Sequence, residues 1–312
     1  MSALNPVMNP VARLPRRAKA ITAFSGSPEG KSGSLKKHSL HGAAILGGLA
    51  ALVGLMFGAA PAEAATCRDP RGFDAFMEDM RHTASAEGIS AAAISSALDN
   101  VAYDPKIVSK DHGQHVFKQS FEQFSSRMVN SYRLRKGATL IKQYAGTFNR
   151  IEEQFGVPAP IIVAIWGLET DFGAVNGNTP TFRALATLAF DCRRSPMFQE
   201  ELLYGLRVVQ RGDLPASAMH GAWAGEIGQT QFMPSSYFKY AVDFNGNGRR
   251  DLIHDVPDVL ASTANFLAQH GWKRGAGWAP GEPNFPVIKE WNKADVYSRT
   301  IAYFATRLDQ SH

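Results

Sequence analysis

The sequence predicts a mainly α-helical protein, and three observations carry that expectation. Apolar residues recur at three- and four-residue spacing through the N-terminal half, an almost wholly apolar run stands near the middle, and a further amphipathic set closes the chain. With 45% hydrophobic residues in 312, there is enough apolar surface for one large domain or two.

Residues 1–64 read as a targeting leader. Lys36 and Lys37 give a positive flank, Gly42 to Ala60 is an unbroken run of small and apolar residues, and Ala62-Glu63-Ala64 is an A-x-A cleavage site. The Gly/Ala content and cleavage near Ala64 favour a signal peptide over a permanent membrane span in the mature form. The leader also holds the surplus charge. It contains Arg13, Arg16, Arg17, Lys19, Lys31, Lys36 and Lys37 against Glu29 and Glu63; subtracted from 33 basic and 28 acidic residues, these leave 26 of each in the body. A neutral body argues against a nucleic-acid partner. Export to an oxidising, periplasmic compartment favours a disulfide between the two cysteines, Cys67 and Cys192. Lipid attachment at Cys67 is the rival, but Ala64-Ala65-Thr66 lacks the usual Leu-x-small-small pattern.

After the leader, Phe73, Phe76, Met77 and Met80 mark a first helix, and Ser90 is an N-cap for a second that reaches Leu98. Asp104-Pro105 breaks the run. Phe117, Phe121, Phe124 and Met128 share one helical face, and so do Leu140, Ile141, Tyr144, Phe148, Ile151 and Phe155. At that spacing the phenylalanine stripe reads as core. Residues 65–150 thus form an N-terminal helical lobe, ahead of a core in 151–312.

The stretch Val157 to Gly173, VPAPIIVAIWGLETDFG, organises that core. Pro158 and Pro160 suit a first helical turn, where a missing N–H costs nothing. Apolar residues fill nearly every position from Ile161 to Leu168, which predicts burial on most sides. Glu169 follows as the first charged residue since Glu153, with Ile165, Trp166, Leu168 and Phe172 around it in sequence. A carboxyl held against apolar walls loses hydration and its pKa rises, as a proton donor near neutrality requires. The same pattern also fits a helix end that simply surfaces into water.

A polar, glycine-rich loop, Gly173 to Pro180, has the composition of a cleft edge. An amphipathic segment runs from Phe182 to Phe190, then Asp191-Cys192-Arg193-Arg194, then a helix from Ser195 to Gln210. Gly221 to Tyr240, GAWAGEIGQTQFMPSSYFKY, sets uncharged donors and acceptors, Gln229, Thr230 and Gln231 among them, beside aromatic faces. That mixture suits a sugar, and equally a polar turn before a helix capped by Ser235 or Ser236. Asp243, Asn245, Asn247, Arg249 and Asp251 fall at positions 1, 3, 5, 7 and 9 of an EF-hand pattern, with Gly248 at position 6. Position 12 is His254 and a carboxylate comes one residue late, at Asp255. An Asn/Gly-rich turn held by its own side chains would read the same way. A helix from Val256 to Gln269, a connector from Gly275 to Pro286 and a final helix with Ile301, Phe304 and Leu308 complete the chain. There is no internal repeat, dinucleotide or phosphate loop, metal-spaced Cys/His set or nucleophile elbow.

Glu169-Thr-x-x-Gly173, Arg193-Arg194, GEIGQTQFMPSSY, the DFNGNG loop, Asn265-Phe-x3-His-Gly-Trp272 and Trp291-Asn-x4-Tyr297 together resemble the membrane-bound lytic transglycosylase B family of peptidoglycan-cleaving enzymes. The resemblance implies a lysozyme-like helical catalytic domain acting on peptidoglycan glycan strands as a monomer. It implies Glu169 as single acid and base; Arg193, Arg194, Gln231, Phe266, Trp291, Asn292 and Tyr297 around the substrate, to which the local composition adds Gln229; and a structural calcium ion in the loop, with no catalytic cofactor. Three departures stand out: Ala222 where the best-known branch has a serine against the catalytic carboxyl, Phe266 and Trp291 where it has tyrosines, and a short connector at 273–286. No wall-binding module follows residue 312, which predicts a weaker hold on long strands.

Hydrolysing glycosidases generally use two carboxylates. Asp171 is too near Glu169 in sequence to face it across a cleft, and the pattern marks no second acid. One carboxyl suffices if the muramyl C6 hydroxyl attacks C1. A muramidase that lets water attack, and a non-catalytic wall-binding protein, are the alternatives.

Overall fold

The computed structural model describes residues 65–113 and 119–310. The leader, with its apolar run and cleavage site, and Phe117 lie outside them. The described residues belong to one structural unit and contain thirteen α-helices and two short strands. No helix among them is long and apolar enough to cross a membrane.

Helices α1 (Phe73–Ala86) and α2 (Ala91–Leu98) follow the expected pattern, with Phe76, Met77 and Met80 buried and Ser90 accepting the Ala93 N–H at 3.3 Å. The Asp104-Pro105 break differs from expectation because it opens a helix, α3 (Pro105–His112). Asp104 accepts the Lys106 N–H at 2.9 Å, and proline occupies the first turn, where it is tolerated. Ser120 and Gln123 form a capping box on α4 (Phe121–Met128). The apolar set from Leu140 to Phe155 is divided at Tyr144 between α5 (Ser131–Gln143) and α6 (Ala145–Phe155).

Helix α7 (Ala159–Thr170) is the centre: every residue in it is buried except Glu169. Each buried Ile or Leu here is worth roughly 1.5–3 kcal/mol of transfer free energy, so the apolar run fixes this helix in place. It packs against α5 on one side, and against α11 (Val256–Gln269) and α13 (Asp295–Asp309) from the C-terminal part. Helices α8 (Thr181–Phe190) and α9 (Ser195–Arg211) pair closely, and α10 (Pro234–Tyr240) lies on α9. Ser235 and Ser236 do not cap α10, which begins one residue earlier at Pro234. The orphan N–H of Ser235 is instead taken by Glu201 of α9 at 2.8 Å. Helix α12 (Phe285–Trp291) completes the set.

Strand β1 (Thr179–Pro180) pairs antiparallel with β2 (His220–Gly221). Two residues on each side suffice to bring the loop after α7 against the glycine-rich 221–231 loop.

Cys67 and Cys192 form a disulfide across 125 residues, with Cα atoms 5.1 Å apart. Closing so long a loop restricts the unfolded chain, so the double variant Cys67→Ser/Cys192→Ser should lose roughly 3–5 kcal/mol of stability. Urea unfolding of the two proteins measures the difference.

Candidate active site

The site is built around the last turn of α7. Its apolar body is sealed on all sides, and Glu169 alone reaches toward solvent, half-buried. Two donors from the C-terminal part meet one of its oxygens. The Trp291 indole N–H, at the end of α12, donates to Oε1 at 2.9 Å, and the Tyr297 hydroxyl, in the first turn of α13, donates to the same atom at 3.0 Å. Both rings are buried. Tyr297 packs against Phe124 of α4, and Trp291 against Phe232 and Phe266, with centroids 5.2 and 5.0 Å away. The carboxyl is thus oriented by two rigid aromatic groups that are themselves fixed by packing.

The chain turns sharply after Glu169. Asp171, Phe172 and Gly173 are all left-handed, with φ of 54°, 61° and 79°. Thr170 holds the turn: its hydroxyl donates to the Gln229 carbonyl and accepts the Gly173 N–H at 2.9 Å. At Gly173 a Cβ would stand 2.2 Å from Gln229 Oε1, so only glycine fits. The same amide of Gln229 accepts from the Trp166 indole N–H at 2.9 Å and donates to the Ile253 carbonyl at 2.9 Å. Both its ends are spent on protein partners, which makes Gln229 a strut between α7 and the EF-hand-like segment. Gln231 is half-buried, itself left-handed, and donates both amide protons, to the carbonyls of Asn176 and Gly228. Its carbonyl oxygen is then the polar atom it has to offer. The glutamine-rich loop therefore lies against the end of α7 that carries Glu169.

Phe266 is buried within an aromatic group of Phe232, Tyr240, His270 and Trp291, stacked on His270 at 4.0 Å. Asn292 is buried too, and its Oδ1 accepts the Ala294 N–H at 3.0 Å. Ala222 is buried in the glycine-rich loop and offers no hydroxyl.

Arg193 and Arg194 converge on Asp111, only 1% exposed at the end of α3. Arg193 reaches its Oδ1 at 2.7 Å and its main-chain carbonyl at 3.0 Å, and Arg194 pairs with the same Oδ1. Next to them, Asp191 pairs with Arg68 and with His112 at 2.9 Å. Burial pushes the Asp191 carboxyl up, but the hydrogen bonds from His112 and Arg68 outweigh it and hold it below the usual range. Asp111, His112 and Asp191 do come within metal-ligating distance of one another. Three guanidinium groups already neutralise these carboxylates, so the cluster is an ion-pair network rather than a cation site.

Sequence reasoning passed over several residues that shape this region. Trp166 and Thr170 stand in the α7 stretch and its motif, but nothing there indicates that both bond to Gln229. Asp171 was set aside for its nearness to Glu169, yet its carboxylate accepts from Arg133 Nε at 3.1 Å. Glu226, in the middle of the glycine-rich loop, is buried and accepts the Ala224 N–H at 3.0 Å. Its charge would have been the signal, because an acid amid GAWAGEIGQ has no sequence-local reason to be there.

The family model described as the transglycosylase SLT domain matches residues 72–282. The chain is 38% identical over 169 residues to the membrane-bound lytic murein transglycosylase B of Escherichia coli (strain K12), covering 52% of this chain and 46% of that protein. The match thus spans about half the length of that curated relative. Among solved structures, SltB3 from Pseudomonas aeruginosa in complex with NAG-anhNAM-pentapeptide superposes with a TM-score of 0.73 at 29% identity, covering 77% of this chain and 80% of that one. The Escherichia coli lytic transglycosylase Slt35 in complex with calcium gives 0.66 at 26% identity, covering 77% and 93%.

Glu226 gives a testable consequence of burial. Desolvation pushes its carboxyl up to about 7, against the hydrogen bonds from its own N–H and that of Ala224. A folded-state pKa above the unfolded value means that its neutral form is compatible with folding below the unfolded pKa. Stability is then lost as pH rises through the folded value. Glu226→Gln should therefore be more stable than the parent at pH 8, by roughly 1–3 kcal/mol, with the gain vanishing near pH 4. Melting temperatures of the two proteins across that range measure it.

Proposed function

Because this chain belongs to the transglycosylase SLT domain family, we propose that it is a lytic transglycosylase. In this reading it cleaves the β-1,4 bond between N-acetylmuramic acid and N-acetylglucosamine of peptidoglycan and leaves a 1,6-anhydromuramyl end. The observation that carries this is the single carboxyl of Glu169, half-buried at the tip of an apolar helix and oriented by Trp291 and Tyr297. Asp171, the nearest acid in sequence, is turned onto Arg133. That favours a mechanism needing one carboxyl over the two-carboxylate hydrolysis of other glycosidases.

Glu169 in its protonated form gives its proton to the glycosidic oxygen as the C1–O bond breaks, releasing the N-acetylglucosamine hydroxyl. The resulting carboxylate takes the proton of the muramyl C6 hydroxyl while O6 bonds to C1. The proton count on Glu169 is restored and no water is consumed. The 2-acetamido group stabilises the positive charge at C1 between the two steps. Because the attacking hydroxyl is tethered to the substrate, proximity does what a positioned water would otherwise do. Trp291 and Tyr297 hold the carboxyl, Gln231 offers its carbonyl oxygen to the sugar, and Arg193 and Arg194, each bonded to Asp111 through one nitrogen, have further guanidinium N–H groups for the anionic muramyl and peptide groups. Asn292 and Phe266 shape the wall beneath, and Gln229 braces the loop.

No cofactor takes part in the reaction. The 243–255 loop fits a structural calcium ion on its donor set. Asp243 accepts the N–H groups of Gly246, Asn247 and Gly248 at 2.8 to 3.0 Å, which curls the loop around its carboxylate. Asp255 comes onto this loop through Asn245 and Asn247, the latter at 3.3 Å, while His254 turns to Asp251. Asp255, one position late in sequence and also the N-cap of α11, would supply the carboxylate that His254 cannot. Asn245, Asn247, Asp251 and the Arg249 carbonyl would complete the oxygens.

We further take residues 1–64 as a leader removed near Ala64, 65–150 as a helical lobe and 151–312 as the catalytic core, acting as a monomer in the periplasm. The disulfide is in keeping with an oxidising compartment. If the leader is retained, the protein stays membrane-associated.

Purified cell wall tests the reaction. Wild type should release muropeptides one water lighter than a muramidase product, and Glu169→Gln should be slower by roughly 10²–10⁴-fold. A product of full mass means that water attacks, and equal rates for the two proteins mean that Glu169 is not the acid. For the ion, chelation should lower stability by about 2–3 kcal/mol relative to protein at calcium a hundredfold above Kd. Asp255→Asn should shrink that difference in a melting experiment.

A further inference from the structure

Two consecutive non-glycine residues, Asp171 and Phe172, sit in the left-handed region at φ of 54° and 61°, immediately after Thr170 ends α7. For side-chain-bearing residues that conformation is unfavourable, and it persists only where the surroundings over-determine it. The surroundings can be named. The Phe172 ring lies edge-on to Trp166 at 5.7 Å, directly beneath Gly167, where a Cβ would come within 2.8 Å of the ring. Main-chain bonds tie the turn back to the helix, from Asp171 N–H to the Gly167 carbonyl and from Phe172 N–H to the Trp166 carbonyl, both at 3.2 Å.

These contacts hold Phe172. Asp171 is held from another element. Its Oδ1 accepts from Arg133 Nε at 3.1 Å, and the two side chains are 28% and 14% exposed, so the pair is sheltered from solvent screening. Arg133 is itself fixed at both ends. Its backbone N–H is capped by Asn130 at 3.0 Å, and its Nη1 donates to the Met128 carbonyl at 2.9 Å, at the end of α4. The guanidinium therefore joins the α4–α5 junction to the turn that follows Glu169. That junction also carries Phe124, four residues before Met128, against the ring of Tyr297, which donates to Glu169.

We propose that Arg133 is a positioning residue for Glu169. Through Asp171 it pins the left-handed turn that ends α7, and so fixes the direction in which the Glu169 carboxyl leaves the helix. The inference rests on Glu169 being the acid, and it goes beyond that assignment by giving the N-terminal lobe a part in the reaction.

The variants Arg133→Met, Asp171→Asn and Asp171→Gly test it on a soluble muropeptide tetrasaccharide. Asp171→Gly is the informative one, because glycine relieves the backbone strain while removing the ion pair. It should melt at or above the parent temperature, yet kcat should fall about tenfold or more with KM within about twofold, since small displacements of a reacting group are costly. Asp171→Asn, still tolerant of the left-handed region and still offering an oxygen to Arg133, should lose less kcat than Asp171→Gly. Arg133→Met/Asp171→Asn should be no slower than the slower single variant, as expected for two members of one contact. Hydrogen exchange at the amides of 168–174 should speed up about tenfold in Arg133→Met, with the rest of α7 unchanged.

Full kcat in both Asp171→Gly and Arg133→Met overturns the proposal. So does a loss of activity that merely tracks melting temperature or appears in KM. If the parent is no faster than Glu169→Gln, the acid assignment itself has failed and the positioning role falls with it. That failure is visible without any Arg133 or Asp171 variant, and unchanged exchange over 168–174 refutes the pinning whatever the activity.

Discussion

A carboxyl at the tip of an apolar helix cannot obtain its hydrogen bonds from that helix. This constraint governs the rest of the structure. Eleven of the twelve residues of α7 are buried, so the polar contacts of Glu169 come from elsewhere, and they come from residues 122 and 128 positions further on. The C-terminal helices must pack against α7 for those donors to arrive, and they do, with α13 as a principal neighbour. Burial of the helix and orientation of its one carboxyl are consequences of the same packing.

What could be read beforehand was whatever the chain states locally. The apolar run Ile161–Leu168, the Ser90 cap and the 256–269 helix each depend on neighbours within one or two turns, and each lies where periodicity puts it. The disulfide was legible from the cysteine count and the leader. The misreadings arose where a residue has two local meanings. Pro105 reads as a breaker although proline is equally at home in a first turn, and Ser235 or Ser236 fits a cap, one of two readings of that stretch, although a buried glutamate on α9 already serves the Ser235 N–H. Tyr144 divides an apolar series that has no interruption in composition.

Apart from the disulfide, hydrogen bonds between distant segments carried no local signal. Nothing near Arg133 in sequence indicates that its guanidinium ends on Asp171, 38 residues away, and nothing near Gln229 indicates that its amide spans Trp166 and Ile253. Local composition pointed to Gln229 as a sugar contact; the fold engages both ends of its amide with protein partners. Asp255 is an intermediate case: its carboxylate was noticed one position late, and only the folded loop brings it to Asn245 and Asn247.

The glycine-rich loop meets its neighbours main chain to main chain. A Cβ on Gly221 would stand 1.7 Å from the Glu226 carbonyl, and one on Gly228 would stand 2.4 Å from the Leu252 carbonyl. Where no side chain stands between two backbones, no side-chain exchange can retune the gap. Variation in this pocket is therefore channelled to the few neighbouring positions that do carry a side chain, such as Ala222 and Glu226.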